Sequence, residues 1–247
     1  MEKLKWIILA LFFGIFTLSG CFIDINDDGN GLFGCISGSG STETQTLDID
    51  EFTSIKLEMD LDVYITQGDD FSVEVEGKEN IIDDLDLGVS NNTWTIGTDH
   101  CTRNIGNMKV YITMPDIEYL KISGSGKIIG ENTFTGNDIE LRISGSGDMD
   151  LSLEADNIEA KISGSGEMWL EGGSDNFDFK ISGSGDLNAF DLESDNVDVR
   201  ISGSGDARVH AIDELNVTIS GSGNVYYKGS PSIDVHISGS GNLIDAN

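Results

Sequence analysis

Acidic side chains recur once per repeat in this chain: Asp148, Glu167, Asp186 and Asp206, grading into Asn224 and Asn242. Carboxylates at a fixed step allow two chemistries. With calcium and a basic neighbour they could cleave an acidic polysaccharide; alone they could hold a row of cations. Each stands at the same place after the same five residues, as any column of a regular stack would, so they read as a structural surface column. The calcium-binding nonapeptide pattern is missing. A second oxygen-rich stretch, Asp24-Ile25-Asn26-Asp27-Asp28-Gly29, has the alternate spacing that opens a calcium loop, with Asp24, Asn26 and Asp28 as the weak candidate ligands. Its twelfth position is Cys35, not a bidentate Glu, and no helix pattern flanks it. It reads as a solvated acidic spacer, so no metal or cofactor is assigned.

Nucleophiles and bases do not converge by spacing. His100, His210 and His236 share no metal-ligand interval; His100 reads as a turn residue, and His236 occupies the outward slot that holds Arg142, Lys161, Lys180 and Arg200 in earlier repeats. The repeat serines are too numerous and too regular to be nucleophiles, and no catalytic residue is assigned. Trp169, Tyr226 and Tyr227 could present aromatic surface to a sugar; the alternative is partial packing against neighbours. Of the three cysteines, Cys35 and Cys101 can form one bridge in an exported chain, or stand as two free thiols.

The third cysteine bears on location. Lys3 and Lys5 precede an apolar run from Trp6 to Leu18, too short to span a bilayer, followed by Leu18-Ser19-Gly20-Cys21. This resembles a bacterial lipobox, whose cysteine is lipidated. Residues 1–20 are then a lipoprotein signal peptide, 21–46 a flexible Gly/Ser/Asp/Thr tether, and 47–247 the folded domain. The membrane is a partner through the lipid on Cys21, and the expected location is the cell envelope, at the outer membrane or cell surface. The formal net charge is −30. Such acidity excludes general nucleic-acid binding, which needs clustered Lys and Arg. It also disfavours adsorption to anionic lipid and serves solubility.

All these residues are positioned by one word. Ile-Ser-Gly-Ser-Gly starts at Ile122, Ile143, Ile162, Ile181, Ile201, Ile219 and Ile237, at steps of 21, 19, 19, 20, 18 and 18 residues. An eighth copy, Ile36–Gly40, stands apart. A period near 20 residues marks a solenoid. Before each pentad, apolar and charged residues alternate, as in Ile158-Glu159-Ala160-Lys161-Ile162, which is a strand with one buried face. A second strand follows, as in Met168-Trp169-Leu170, and a second corner falls at Asp156-Asn157, Asp175-Asn176 and Asp195-Asn196. The fold class is therefore all-β: a parallel β-helix with coils of about 18–21 residues, right-handed by the bias of parallel crossovers. The seven pentad isoleucines should stack as an internal column, each worth roughly 1.5–3 kcal/mol. Outside, Arg142, Lys161, Lys180 and Arg200 should run beside Glu140, Glu159, Asp178 and Asp198. Residues 47–115 carry less regular strands, and 116–247 the regular coils; Ile81–Leu87 fits either a helical turn or a strand.

The Ser-Gly-Ser-Gly units, the stretch Asp62-Val63-Tyr64-Ile65-Thr66-Gln67-Gly68, Met114-Pro115 and the lipobox together resemble the bacterial "putative auto-transporter adhesin, head GIN domain" family over about residues 47–240. The resemblance implies a β-helix similar to pectin-lyase-like proteins and a role in adhesion at the cell surface; the expected function is non-catalytic binding through a rigid solenoid face, with an extracellular glycan or protein as ligand. It supplies no catalytic residues. The alternatives are a polysaccharide-active enzyme on the same fold and a structural envelope protein without a specific ligand.

Overall fold

A computed structural model describes residues 34–247. Cys21 and the candidate loop of Asp24, Asn26 and Asp28 lie outside the described residues. β1 (Ile36–Ser37) and β2 (Thr42–Thr46) come first. The irregular part holds β3 (Ser54–Leu57), β4 (Asp62–Gln67), β5 (Ser72–Lys78), one helical turn α1 (Glu79–Ile82), β6 (Val89–Ser90), β7 (Thr93–Ile96), β8 (Thr102–Arg103) and β9 (Lys109–Met114). β10 (Tyr119–Ile122) opens the regular part. β11 (Lys127–Ile143), β12 (Asp148–Ile162), β13 (Glu167–Ile181), β14 (Asp186–Ile201) and β15 (Ala207–Ile219) each run to the next pentad corner or its equivalent. β16 (Val225–Lys228), β17 (Ser232–Ile237) and β18 (Leu243–Asp245) close the chain. The result is a β-solenoid of about 7 turns.

The coils pair parallel and in register, with Ile122, Ile143, Ile162, Ile181, Ile201, Ile219 and Ile237 in one column. The first six are at most 1% exposed. Ile237 departs from the expected internal stack: it is 39% exposed, because no described coil lies beyond it. The register is fixed because a slip by one residue would turn every inward side chain outward.

The pentad corner is part of the ladder. Ser163 N–H donates to the Ile143 carbonyl at 2.7 Å and Ser165 N–H to the Gly145 carbonyl at 2.9 Å, and later coils repeat the pattern. Strands sit about 4.8 Å apart here. A Cβ on Gly164, Gly183, Gly203 or Gly221 would overlap the carbonyl oxygen of the glycine one coil earlier. Only at Gly124, first of its column, is there ordinary room, the nearest atom lying 3.5 Å away. The glycines are therefore required by the approach of successive backbones.

The irregular part is stacked out of sequence order. β3 lies between β7 and β10, and β4 between β9 and β11, all parallel. The coil made by β7 and β9 is thus outermost, although the coil of β3 and β4 precedes it in the chain. Antiparallel strands cover this outer coil: β6 pairs with β7, β5 with β9, and β2 with β5. Two findings revise the expected tether of 21–46. Its described portion, residues 34–46, contributes β1 and β2, held by pairing with β8 and β5. The eighth pentad is no coil of the stack, since Ile36 and Ser37 pair with Thr102 and Arg103 in a separate two-stranded sheet. Residues 79–82 settle as a helical turn, with Ile81 and Ile82 buried.

Candidate binding face

Two outer walls carry the polar residues picked out from the sequence. On the wall ahead of each pentad, the acidic and basic columns stand side by side. Arg200 reaches Asp198 at 2.7 Å and Asp178, one coil back, at 3.4 Å. Lys180 reaches Glu159 at 3.4 Å, and Arg142 pairs with Glu140. Desolvation raises the Asp198 carboxyl above its ordinary range, against the pull of Arg200. These are exposed pairs of about 0–1 kcal/mol each. A groove of about 820 Å³ crosses this wall past Asp116, Glu118, Tyr119, Asp138 and Glu140. Most of its polar groups are engaged within the fold. Glu118 accepts from Thr53, and the Arg142 guanidinium lies over Tyr119 at 5.9 Å. Asp138 receives the Asn157 amide at 2.8 Å, and the ladder continues from Asn176 to Asn157 and from Asn196 to Asn176.

The acids that follow the pentads are likewise structural. Asp148 accepts from the Glu167 N–H at 3.2 Å, Asp186 from the Asp206 N–H at 2.7 Å, and Asp206 from the Asn224 N–H at 2.7 Å. Asn224 then accepts from Asn242. These three carboxylates each stitch one coil to the next, a charge-assisted bond stronger than a neutral one. No three His, Cys, Asp or Glu among the described residues converge to hold a metal ion. His100 bonds Asp84 at 2.5 Å, which raises its pKa, while His210 faces Glu193 at 3.9 Å. Cys35 and Cys101 are joined by a disulfide, with Cα atoms 4.5 Å apart.

The wall after the pentads presents something different. The third residue beyond each pentad points outward, and register aligns Ile129, Asp150, Trp169, Asn188, Arg208, Tyr226 and Ile244 in one column. The irregular part extends that column with Tyr64 and Tyr111, whose rings stack at 5.2 Å. At about 4.8 Å per strand, the nine positions span roughly 40 Å. Cations lie over the rings. Lys127 is 5.8 Å from Trp169, Arg208 is 5.3 Å from Tyr226, and Lys228 is 4.6 Å from Phe190. Arg208 also donates to the Asn188 side chain at 3.2 Å. A groove of about 430 Å³ runs beside Trp169, past Asp150, Glu171, Asn188 and Phe190. The face offers flat apolar rings beside hydrogen-bonding groups, which suits a ligand with both characters.

Of the aromatics noted from sequence, Trp169 and Tyr226 share this column. Tyr227 does not: it continues the inward column of Ala189 and Val209 and packs against the core. Tyr64, Tyr111, Phe190 and their cations were missed. Counting three residues beyond each pentad would have found the regular members; nothing in the sequence aligns Tyr64 and Tyr111 with them.

Among the described residues no helix is long and apolar enough to cross a membrane. The fold is similar to that of solved crystal structures, three of which follow. A "putative adhesin" from Bacteroides fragilis NCTC 9343 matches with TM-score 0.80 at 26% identity, covering 85% of this chain and 99% of that one. A "putative adhesin" from Parabacteroides distasonis ATCC 8503 matches with TM-score 0.72 at 26% identity, covering 85% and 99%. A "putative lipid binding protein" from the same organism matches with TM-score 0.71 at 25% identity, covering 86% and 99%. Comparison with curated proteins returned no match. The family model described as "Putative auto-transporter adhesin, head GIN domain" matches residues 51–231, and with its solenoid now described, this chain belongs to that family.

Proposed function

We propose that this chain is a lipid-anchored envelope protein that binds an external glycan, without catalysis, through the wall after the pentads. The outward column that brings Tyr111, Tyr64, Trp169, Arg208 and Tyr226 onto one face, with Ile129, Asp150 and Asn188 between them, carries this reading. Ring faces stack on the apolar side of a sugar, while Asp150 and Asn188, one strand to either side of Trp169, offer acceptors and donors to its hydroxyls. A rigid sheet holds these groups with little ordering cost on binding. Anchoring rests on the lipobox at Cys21, and surface location follows from anchoring together with the adhesin family. The non-catalytic part rests on Asp148, Asp186 and Asp206, which are engaged in inter-coil bonds, and on Glu140, Glu159, Asp178 and Asp198, which pair with Arg or Lys.

A glycan array probed with the purified chain tests the reading. Binding to a defined glycan class that falls at least ten-fold in Trp169→Ala and Tyr226→Ala supports it. Silence across glycans sinks it and favours a scaffold, and turnover of an acidic polysaccharide favours the enzyme. Metabolic labelling with a fatty acid, lost in Cys21→Ala, tests the anchor.

A further inference from the structure

We infer that the C-terminal end of the solenoid is a homotypic interface, at which β17 pairs antiparallel with β17 of a second copy about Val235. All six residues of β17 are exposed, including Ile233 at 41%, Val235 at 45% and Ile237 at 39%, although these three occupy the inward columns. Along its far edge β17 has no strand beside it among the described residues. An edge with free backbone groups and aliphatic side chains is a template for another strand.

The occupant follows from the strand itself. Ser238 N–H donates to the Ile219 carbonyl at 2.8 Å, so in this parallel ladder the even positions turn their backbone groups toward β15. The N–H and C=O groups of Ile233, Val235 and Ile237 therefore face the open edge. A second copy must keep odd residues opposite odd residues, or the aliphatics would leave the interior. Centring on Val235 sets Ile233 opposite Ile237 and Val235 opposite its own equivalent, which uses every outward backbone group. It also sets Asp234 opposite His236, in the closer, non-hydrogen-bonded kind of pair. Asp234 and His236 stand in register with the acidic and basic columns, one coil beyond Asn216 and Thr218, and the two-fold sets each Asp234 carboxylate against an imidazole that can donate an N–H to it. The neighbouring registers lack this match: centring on Asp234 opposes two carboxylates, and centring on His236 opposes two imidazoles. A two-fold interface of this kind is self-complementary and closes at two copies. The net charge of −30 on each chain opposes association, so the pair should tighten as salt screens it.

The test uses the full chain carrying Cys21→Ser. Sedimentation should show a dimer that strengthens with salt. Asp234→Lys, which removes the acceptor facing the His236 imidazole, and His236→Glu, which sets two carboxylates face to face, should each weaken it about ten-fold, and the double exchange should restore it. Under oxidation, chains carrying D234C mixed with chains carrying H236C should cross-link, and neither should do so alone. A monomer at millimolar concentration overturns the inference. So does a D234C chain that links to itself, or a dimer indifferent to both charge changes. A monomer whose amides at residues 233, 235 and 237 exchange slowly also overturns it, since another part of the chain would then cover the edge.

Discussion

At the end where the chain enters the solenoid, β2, β5, β6 and the helical turn wrap the outermost coil. β6 covers the edge of β7, β5 and β2 cover the edge of β9, and the helical turn buries Ile81 and Ile82. At the other end, the same stacking stops with β17 and β18 and leaves three inward aliphatics in solvent. The stacking is parallel at both ends; the first end is built from coils without the pentad, and its termination differs. A coil that stacks parallel presents a new edge at every turn, so a repeat can propagate a solenoid and cannot end one. Ending it takes antiparallel strands or a partner, and among the described residues the first is found at one end only.

The largest expected effect breaks the wrapped end. Replacing Cys35 and Cys101 by Ser opens a link across 66 residues, which chain-entropy arguments value at about 4 kcal/mol. Hydrogen exchange should then quicken in β1, β2, β5 and β8 before β12–β14. Uniform quickening would show that the cap and the coils unfold as one unit. Next, Ile162→Ala in the middle of the stack should cost about 3 kcal/mol in denaturant melts, and Ile237→Ala less than about 1 kcal/mol, because Ile237 buries less surface. Equal costs would mean that the far end is covered.

A smaller difference should separate two glycines of the same column. Gly203→Ala drives a methyl into the Gly183 carbonyl, for about 2 kcal/mol of overpacking, whereas Gly124→Ala meets nothing closer than 3.5 Å and should be nearly neutral. Thermal melting of both decides it. The smallest effect is at the wrapped end, where Asp84 holds the His100 pKa above its ordinary 6.5. The folded state binds that proton more tightly than the unfolded chain. The contribution is therefore complete below pH 6.5 and fades as pH rises through the elevated value. His100→Gln should lower Tm at pH 5 and leave it unchanged at pH 9; a constant difference would refute the pairing.

The regular half was readable because its word is repeated. Ile-Ser-Gly-Ser-Gly locates every corner, and the alternation ahead of it separates inward Ile139, Leu141 and Ile143 from outward Glu140 and Arg142. Ile237 was misjudged for a physical reason: an inward position is buried only if another coil follows. The candidate face was half readable. Trp169 and Tyr226 stand out by type, but their alignment with Tyr64 and Tyr111 needs the stacking order of the irregular coils. That order cannot be counted from a repeat, because residues 47–115 contain no pentad. Tyr227 looked equivalent to Tyr226 and lies on the opposite face, since neighbouring residues of a strand always do.

The sequence by itself determined the coil, its register and the solenoid, because every step repeats the same local pattern and each pattern admits one inward face. Tertiary structure alone decided where the coil of β3 and β4 is inserted, how the first end is wrapped, and that Tyr64 and Tyr111 join the outward column. Those depend on contacts between segments distant in the chain and unlike in sequence, and no local preference encodes them.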